Sequence, residues 1–247
     1  MTDYDRPVVL PTLQWGVQGH RRALLLHGLS SSAATWWRIA DALAGAGYHV
    51  TAPDLRGHGS APHTASYRLN GFAADLWELG QGWDVVVGHS LGGTLGALVS
   101  ARAEFAHRLV LLDPVLMIPE DQFDGLLADQ LSELDHAGDP EAFMARHPAW
   151  HPEDAAIKAF AVQQTSRFVV ERTLTDNRPW WYLDLLSNVH IGTAIIGADP
   201  DHGALFDPMI GEEIARRNAR IRTMVVAGAG HSVHRDAPEA VLDVLLG

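Results

Sequence analysis

The stretch DVVVGHSLGG, residues 84–93, places a serine among glycines directly after an unbroken apolar run. The run predicts a buried strand, and the Ala-, Leu- and Gly-rich residues that follow predict a helix. Ser90 would then lie on a tight strand-to-helix turn, where the residues two before and two after must be small so that the chain can fold back. The helix N-terminus beneath would favour developing negative charge. This context predicts that Ser90 is a catalytic nucleophile.

Apolar runs elsewhere in the chain predict further buried strands. Their near-continuous Val, Leu and Ile content, without polar alternation, is what strands covered on both faces require. With the run before Ser90, the predicted strands are residues 23–26, 48–52, 84–87, 109–112, 193–196 and 223–227. Helical patterns lie between them, and the last helix opens at Pro238. This alternation predicts an α/β fold with a doubly wound, mostly parallel sheet.

Residues 116–188 interrupt this alternation. Only helical spacing is found there, for example in the pattern Phe123, Leu126, Leu127, Leu131 and Leu134. The segment is too long for a simple crossover, and no Gly-, Ser- or Pro-rich linker marks an independent second domain. We therefore predict a helical cap over the carboxyl edge of the sheet, where open α/β sheets bind ligands. The core would consist of residues 1–115 and 189–247.

Four segments of the chain carry a resemblance to a known family. They are LLHGL at 25–29, APDLRGHGS at 52–60, the serine turn, and GAGH at 228–231. With these, residues 23–246 resemble the α/β-hydrolase superfamily in its serine hydrolase branch. The resemblance implies a catalytic triad in the chain order serine, acid, histidine.

The histidine and the acid of that triad are sought in this order. His231 follows a predicted strand on a loop at the carboxyl edge, from which it can reach a serine above the sheet, and His234 is its close rival. Family order places the acid after the strand at 193–196, where Asp199 precedes a proline as the family acid often does. That loop is one residue short of the family pattern, so Asp201 stays an alternative. Asp113, at an earlier strand end that some members use, is the other.

The resemblance also implies an oxyanion hole built from backbone N–H groups. These would be Leu91, directly after the nucleophile, and Leu29, directly after His27-Gly28. His27 is interpreted as a brace for its turn and not as a catalytic base.

Large aromatic side chains lie near the predicted cap and favour an apolar pocket for aromatic or medium aliphatic groups. No cationic cluster is visible in the cap sequence, which argues against phosphorylated or coenzyme A substrates. The predicted substrate-binding residues are Trp36, Trp180, Trp181 and His89.

Composition narrows the possible partners. The chain has 247 residues and a formal charge of -12, because it contains 30 acidic and 18 basic residues. A net negative charge disfavours binding to nucleic acids and to membrane surfaces. There are no cysteines, and no residue set matches a metal signature, so we expect neither a metal nor a cofactor. The acidic start at Met1–Asp5 lacks the features of a signal peptide, which predicts a cytoplasmic protein.

These features predict a serine hydrolase that cleaves a carboxylic ester or lactone through an acyl-enzyme. Two alternatives stay open: carbon–carbon bond hydrolysis or lyase chemistry with the same triad, and a receptor-like protein that binds a small molecule with little turnover. Dehalogenase and epoxide-hydrolase chemistry is disfavoured because those reactions need an aspartate nucleophile. Oligomeric state is not predicted.

Overall fold

The computed structural model describes residues 6–17, 19, 21–102, 104–187 and 189–247. The prediction drawn from Met1–Asp5 therefore lies outside the described residues, as does Asn188 at the end of the predicted cap.

The predicted doubly wound, mostly parallel sheet is confirmed. Its strands lie in the order β1-β3-β2-β4-β5-β6-β7, and every neighbouring pair is parallel except β1 with β3. In chain order they are β1 (Thr12–Trp15), β2 (Arg21–Leu26), β3 (Tyr48–Pro53), β4 (Val85–His89), β5 (Arg108–Leu112), β6 (Gly192–Gly197) and β7 (Ile221–Val225). The edge strand β1 was not predicted, because its half-exposed residues lack a continuous apolar run.

The apolar runs form strands because both of their faces are covered. In β2, Leu24 and Leu26 pack into one core cluster, whereas Ala23 and Leu25 pack into another on the opposite face. Helices cover both faces of the sheet: α1 (Trp37–Gly45), α2 (Leu69–Glu78), α3 (Leu91–Val99), α9 (Pro208–Arg217), α10 (Val233–Asp236) and α11 (Pro238–Leu246). Full burial of one leucine side chain contributes about 1.5–3 kcal/mol, so packing on both faces stabilises the layered arrangement.

The segment between β5 and β6 is helical, as its spacing predicts. It contains α4 (Phe123–Ser132), α5 (Pro140–Arg146), α6 (Pro152–Gln163), α7 (Arg167–Thr175) and α8 (Asp184–Ser187). Its division from the core as a cap stays a prediction. No helix within the described ranges is long and apolar enough to cross a membrane.

Sheet order brings two loops together. Strand β2 is followed along the chain by β3 on one side of it, whereas β4 lies on its other side. The loops that leave the carboxyl ends of β2 and β4 therefore meet at the point where the order reverses, which is where α/β sheets bind ligands.

Candidate active site

Ser90 lies on the turn between β4 and α3, in the conformation that the sequence predicts. Its φ of 55° and ψ of -117° are rare for a residue with a side chain. A Cβ at Gly88 would lie 2.2 Å from the Gly92 carbonyl oxygen, and one at Gly92 would lie 2.1 Å from that of Leu26. Only glycine fits at both positions, so the strained turn depends on them.

The loop after β2 closely approaches this serine. A Cβ at Gly28 would lie 3.1 Å from the Ser90 Cβ. Leu29 and Leu91 both line a small apolar pocket with Ser90. Since Leu91 is the first residue of α3, its N–H has no acceptor one turn back in the helix. Both predicted oxyanion donors thus lie beside the serine, and their role stays a prediction.

His27 braces the loop after β2. Its Nδ1 donates to the Gly28 carbonyl oxygen at 2.8 Å, and its Nε2 accepts from the Leu55 N–H at 3.0 Å. Burial lowers the pKa of His27 to about 4, so the ring is neutral and both nitrogens are used in structure.

Asp113, and not Asp199, is the carboxylate that contacts His231. The Nδ1 of His231 lies 2.6 Å from Oδ2 of Asp113, which is fully buried beyond the end of β5 with a φ of 38°. Backbone N–H groups of Ala198, Leu205 and Phe206 donate to the same carboxylate at 3.0, 2.8 and 3.3 Å. These donors stabilise the negative charge of Asp113 next to the imidazole.

The structure contradicts the choice of Asp199 as the partner of His231. Asp199 accepts from the N–H of Gly228 at 2.7 Å and from that of Asp201 at 3.0 Å, and it lies 3.4 Å from His202 Nδ1. The hydrogen bond from Gly228 is the main cause that lowers the pKa of Asp199. Both carboxylate oxygens thus serve the loop, and Asp201 is exposed.

Two buried histidines lie beneath His231. His89 donates from Nε2 to the His231 carbonyl oxygen at 2.9 Å, and its ring lies 4.7 Å from that of His231. His234, the rival candidate, lies between His89 and Trp36, with ring separations of 4.6 and 4.7 Å. Burial holds the pKa of both His89 and His234 well below its usual range. His234 thus packs in the interior, whereas His231 contacts the acid.

Ser90 and His231 line one cavity of about 490 Å³. Arg146, the last residue of α5, and Lys158 of α6 also line it. Its charged lining residues are Glu133, Arg146, Lys158, Arg235 and Asp236. Charged side chains thus line this cavity together with apolar ones, and the apolar substrate pocket stays a prediction.

The predicted aromatic contacts hold only in part. Trp36 is fully buried in the core, and Trp181 is 57% exposed and lines a different groove. Trp180 donates to the Val115 carbonyl oxygen at 2.7 Å and lines the small apolar pocket beside Ser90. His89 lines the larger cavity. Neither Trp36 nor Trp181 therefore lies at the cavity beside Ser90, contrary to the prediction that they bind substrate. Proximity to a loop in the sequence does not determine which way a side chain points.

Sequence reasoning missed two cationic residues of the cavity. Arg235 lies four residues after His231, and Lys158 is the only lysine in the chain. The one available signal is the cation at Arg235, close to the predicted catalytic histidine. Trp150, one of the large aromatic residues near the predicted cap, also lines the cavity.

Comparison with known proteins gives the family. The model of the Alpha/beta hydrolase family matches residues 23–244. Lipase LipV of Mycobacterium tuberculosis (strain ATCC 25618 / H37Rv) is 34% identical over 134 residues, which cover 52% of this chain and 51% of LipV. The sn-1-specific diacylglycerol lipase ABHD11 of Mus musculus is 27% identical over 245 residues, which cover 90% of this chain and 78% of that protein.

Solved structures support the fold. A crystal structure of E-2-(acetamidomethylene)succinate hydrolase matches with a TM-score of 0.79 at 22% identity, over 96% of this chain and 93% of that one. The chain spans about half the length of LipV. Because the family model covers most of the sequence, the chain belongs to the alpha/beta hydrolase family.

Proposed function

We propose that this member of the alpha/beta hydrolase family is a cofactor-independent serine hydrolase that cleaves a carboxylic ester or lactone through an acyl-enzyme on Ser90. The observation that carries the proposal is the 2.6 Å contact between Asp113 and His231, with His231 and Ser90 lining one cavity. Asp113 takes the place of Asp199 in the proposed triad. LipV and ABHD11 are both named lipases, which is consistent with an ester substrate.

In the proposed reaction His231 is the general base. Its Nδ1–H donates to Asp113, which leaves Nε2 free to accept the hydroxyl proton of Ser90 as Oγ attacks the carbonyl carbon. Asp113 holds the imidazole in this tautomer and stabilises the imidazolium that forms. The buried carboxylate suits that task because three backbone N–H groups hold its orientation.

The charge of the tetrahedral intermediate falls on the former carbonyl oxygen. In this proposal the N–H groups of Leu29 and Leu91 donate to it. Collapse breaks the ester C–O bond, and the imidazolium proton of His231 goes to the departing alkoxide. Water then attacks the acyl-enzyme with His231 again as base, and the carboxylic acid and free Ser90 are released.

Hydrolysis of 4-nitrophenyl butyrate by wild-type and Ser90→Ala protein tests this function. We expect kcat to fall by about 10⁴- to 10⁶-fold in the variant. A fluorophosphonate probe should add one adduct mass to the wild-type chain and none to Ser90→Ala. Undiminished hydrolysis in Ser90→Ala would contradict the proposal, and ligand binding without turnover or adduct would favour the receptor alternative.

A further inference from the structure

The cavity beside Ser90 contains a buried guanidinium that forms no ion pair within the described part of the chain, although the carboxylates of Asp154, Glu133 and Asp236 lie near enough to offset part of its charge. Arg235 is 3% exposed, and its Nη1 and Nη2 reach only the hydroxyls of Ser232 and Ser31, at 3.3 and 3.4 Å. Its Nε has no hydrogen-bond partner among the described residues. No carboxylate in the described part of the chain lies within the 4.0 Å limit of an ion pair with it. The guanidinium lies over the Trp150 ring, 4.8 Å from its centroid.

Each acidic residue of the same cavity accepts a hydrogen bond from a group other than Arg235. Glu133 accepts from Lys158 Nζ at 2.7 Å, and Asp236 Oδ1 accepts from Trp150 Nε1 at 2.9 Å. Asp236 Oδ2 has no partner within the described ranges, yet it forms no ion pair with Arg235. Burying a charge without a partner is costly. Arg235 therefore holds binding capacity that an anion in the cavity would satisfy.

The two cations both lie against the loop that continues from Leu29. Lys158 Nζ donates to the Ser30 carbonyl oxygen at 2.8 Å, and Arg235 Nη2 donates to the Ser31 hydroxyl. Ser31 is two residues from Leu29, so these contacts lie within about 7 Å of chain from the proposed oxyanion donor. Both cations line the cavity that contains Ser90 and His231. A ligand group bound there would be separated from the scissile carbonyl by a short arm.

We propose that Arg235, with Lys158 beside it, forms a carboxylate-binding subsite, and that the preferred substrate is an ester with a second, free carboxylate on a short arm. The inference rests on the proposed function and names its substrate class: a monoester of a short dicarboxylic acid. A guanidinium presents paired N–H donors that match the two oxygens of a carboxylate. The small apolar pocket that Ser90 also lines would take the alcohol part.

The test compares two methyl esters that differ only in the terminal group of the acyl chain. Monomethyl glutarate carries a carboxylate where methyl valerate carries a methyl group, and acid release from each is followed in a pH-stat. We expect the wild type to prefer monomethyl glutarate by about 10- to 100-fold in kcat/KM. Arg235→Gln should abolish the preference, measured as the ratio of kcat/KM for the two esters, and Arg235→Lys should keep part of it. Arg217→Gln is the matched control. Arg217 is the exposed last residue of α9 and does not line the cavity, so this variant should behave as wild type.

Glutarate binding to Ser90→Ala protein, measured by calorimetry, gives a readout without catalysis. Binding that is lost in the double variant with Arg235→Gln supports the subsite. A wild-type preference for methyl valerate, or no glutarate binding, would overturn the subsite and leave the hydrolase proposal standing. Glutarate binding with neither ester cleaved would overturn the hydrolase proposal and leave the subsite. If Arg235→Gln does not fold, the wild-type ester ratio and binding to Ser90→Ala still decide.

Discussion

Asp113 shows how much depends on the surroundings of one side chain. It follows β5, which lies between β4 with its serine and β6, so its carboxylate is one strand away from the nucleophile. Three backbone N–H groups and His231 converge on its two oxygens. Asp199 lies one strand further from Ser90, and its oxygens accept from its own loop and from Gly228.

Paired substitutions at the two acids test this assignment. Asp113→Asn should lower kcat by about 10⁴-fold, because an amide neither fixes the His231 tautomer nor stabilises the imidazolium. Asp199→Asn should change kcat by less than about threefold, since it removes loop contacts and no triad member. Steady-state rates with 4-nitrophenyl butyrate, on protein whose circular dichroism matches wild type, provide the measurement. A large loss at Asp199 with a small one at Asp113 would reverse the assignment.

The serine turn is the element on which the site depends. It joins a strand buried on both faces to a helix that begins at once, and the close approach of Gly92 to Leu26 leaves no room for a side chain. Backbone cannot withdraw as the end of a flexible side chain can. The turn therefore requires that Gly88 and Gly92 have no Cβ.

Alanine substitutions at two helical glycines separate this steric demand from helix propensity. Gly92→Ala should sharply lower Tm or soluble yield, because its Cβ would overlap the Leu26 carbonyl oxygen. Gly125→Ala in α4 is the control, since a Cβ there meets nothing within 4 Å, and it should stabilise the protein by about 0.5–1 kcal/mol. Thermal unfolding of both variants beside wild type gives the comparison. Equal behaviour of the two would show that the close approach does not matter.

Across the whole molecule, buried neutral histidines couple folding to pH. Burial lowers the pKa of His27 to about 4 and that of His58 to about 3, and it holds His89 and His234 well below their usual range. The unfolded chain protonates these rings near pH 6.5, whereas the folded protein does not. Below that pH the unfolded state binds more protons, so the free energy of unfolding rises with pH in this window.

We expect stability to be nearly constant above pH 7.5 and to fall as the pH drops from about 6.5 toward 4. The free energy of unfolding falls by on the order of 1 kcal/mol per pH unit for each histidine that is protonated only in the unfolded chain. Urea unfolding at pH 7.5, 6.0 and 5.0 measures it. His58→Gln should reduce the slope of the free energy of unfolding against pH by the contribution of about one bound proton. A pH-independent free energy of unfolding would disprove the coupling.

Local sequence predicted those parts of the molecule that depend on near neighbours. The apolar runs predicted six strands, although the last was placed at 223–227 and the structure has Ile221–Val225. The glycine spacing around Ser90 predicted its turn, because both glycines act within two residues of it. The antiparallel β1 was missed, since a half-exposed edge strand carries a weak pattern.

Residues far apart in the sequence decided the rest, because only the fold brings them into contact. Asp113 and His231 are separated by 118 positions, Lys158 and Ser30 by 128, and Arg235 and Ser31 by 204. The sequence by itself determined the fold class, the serine turn and the loop that carries the histidine. The tertiary structure decided which acid meets that histidine and brought Lys158 and Arg235 into one cavity, since hydrogen bonds and charge pairing depend on distance in space and not on order along the chain.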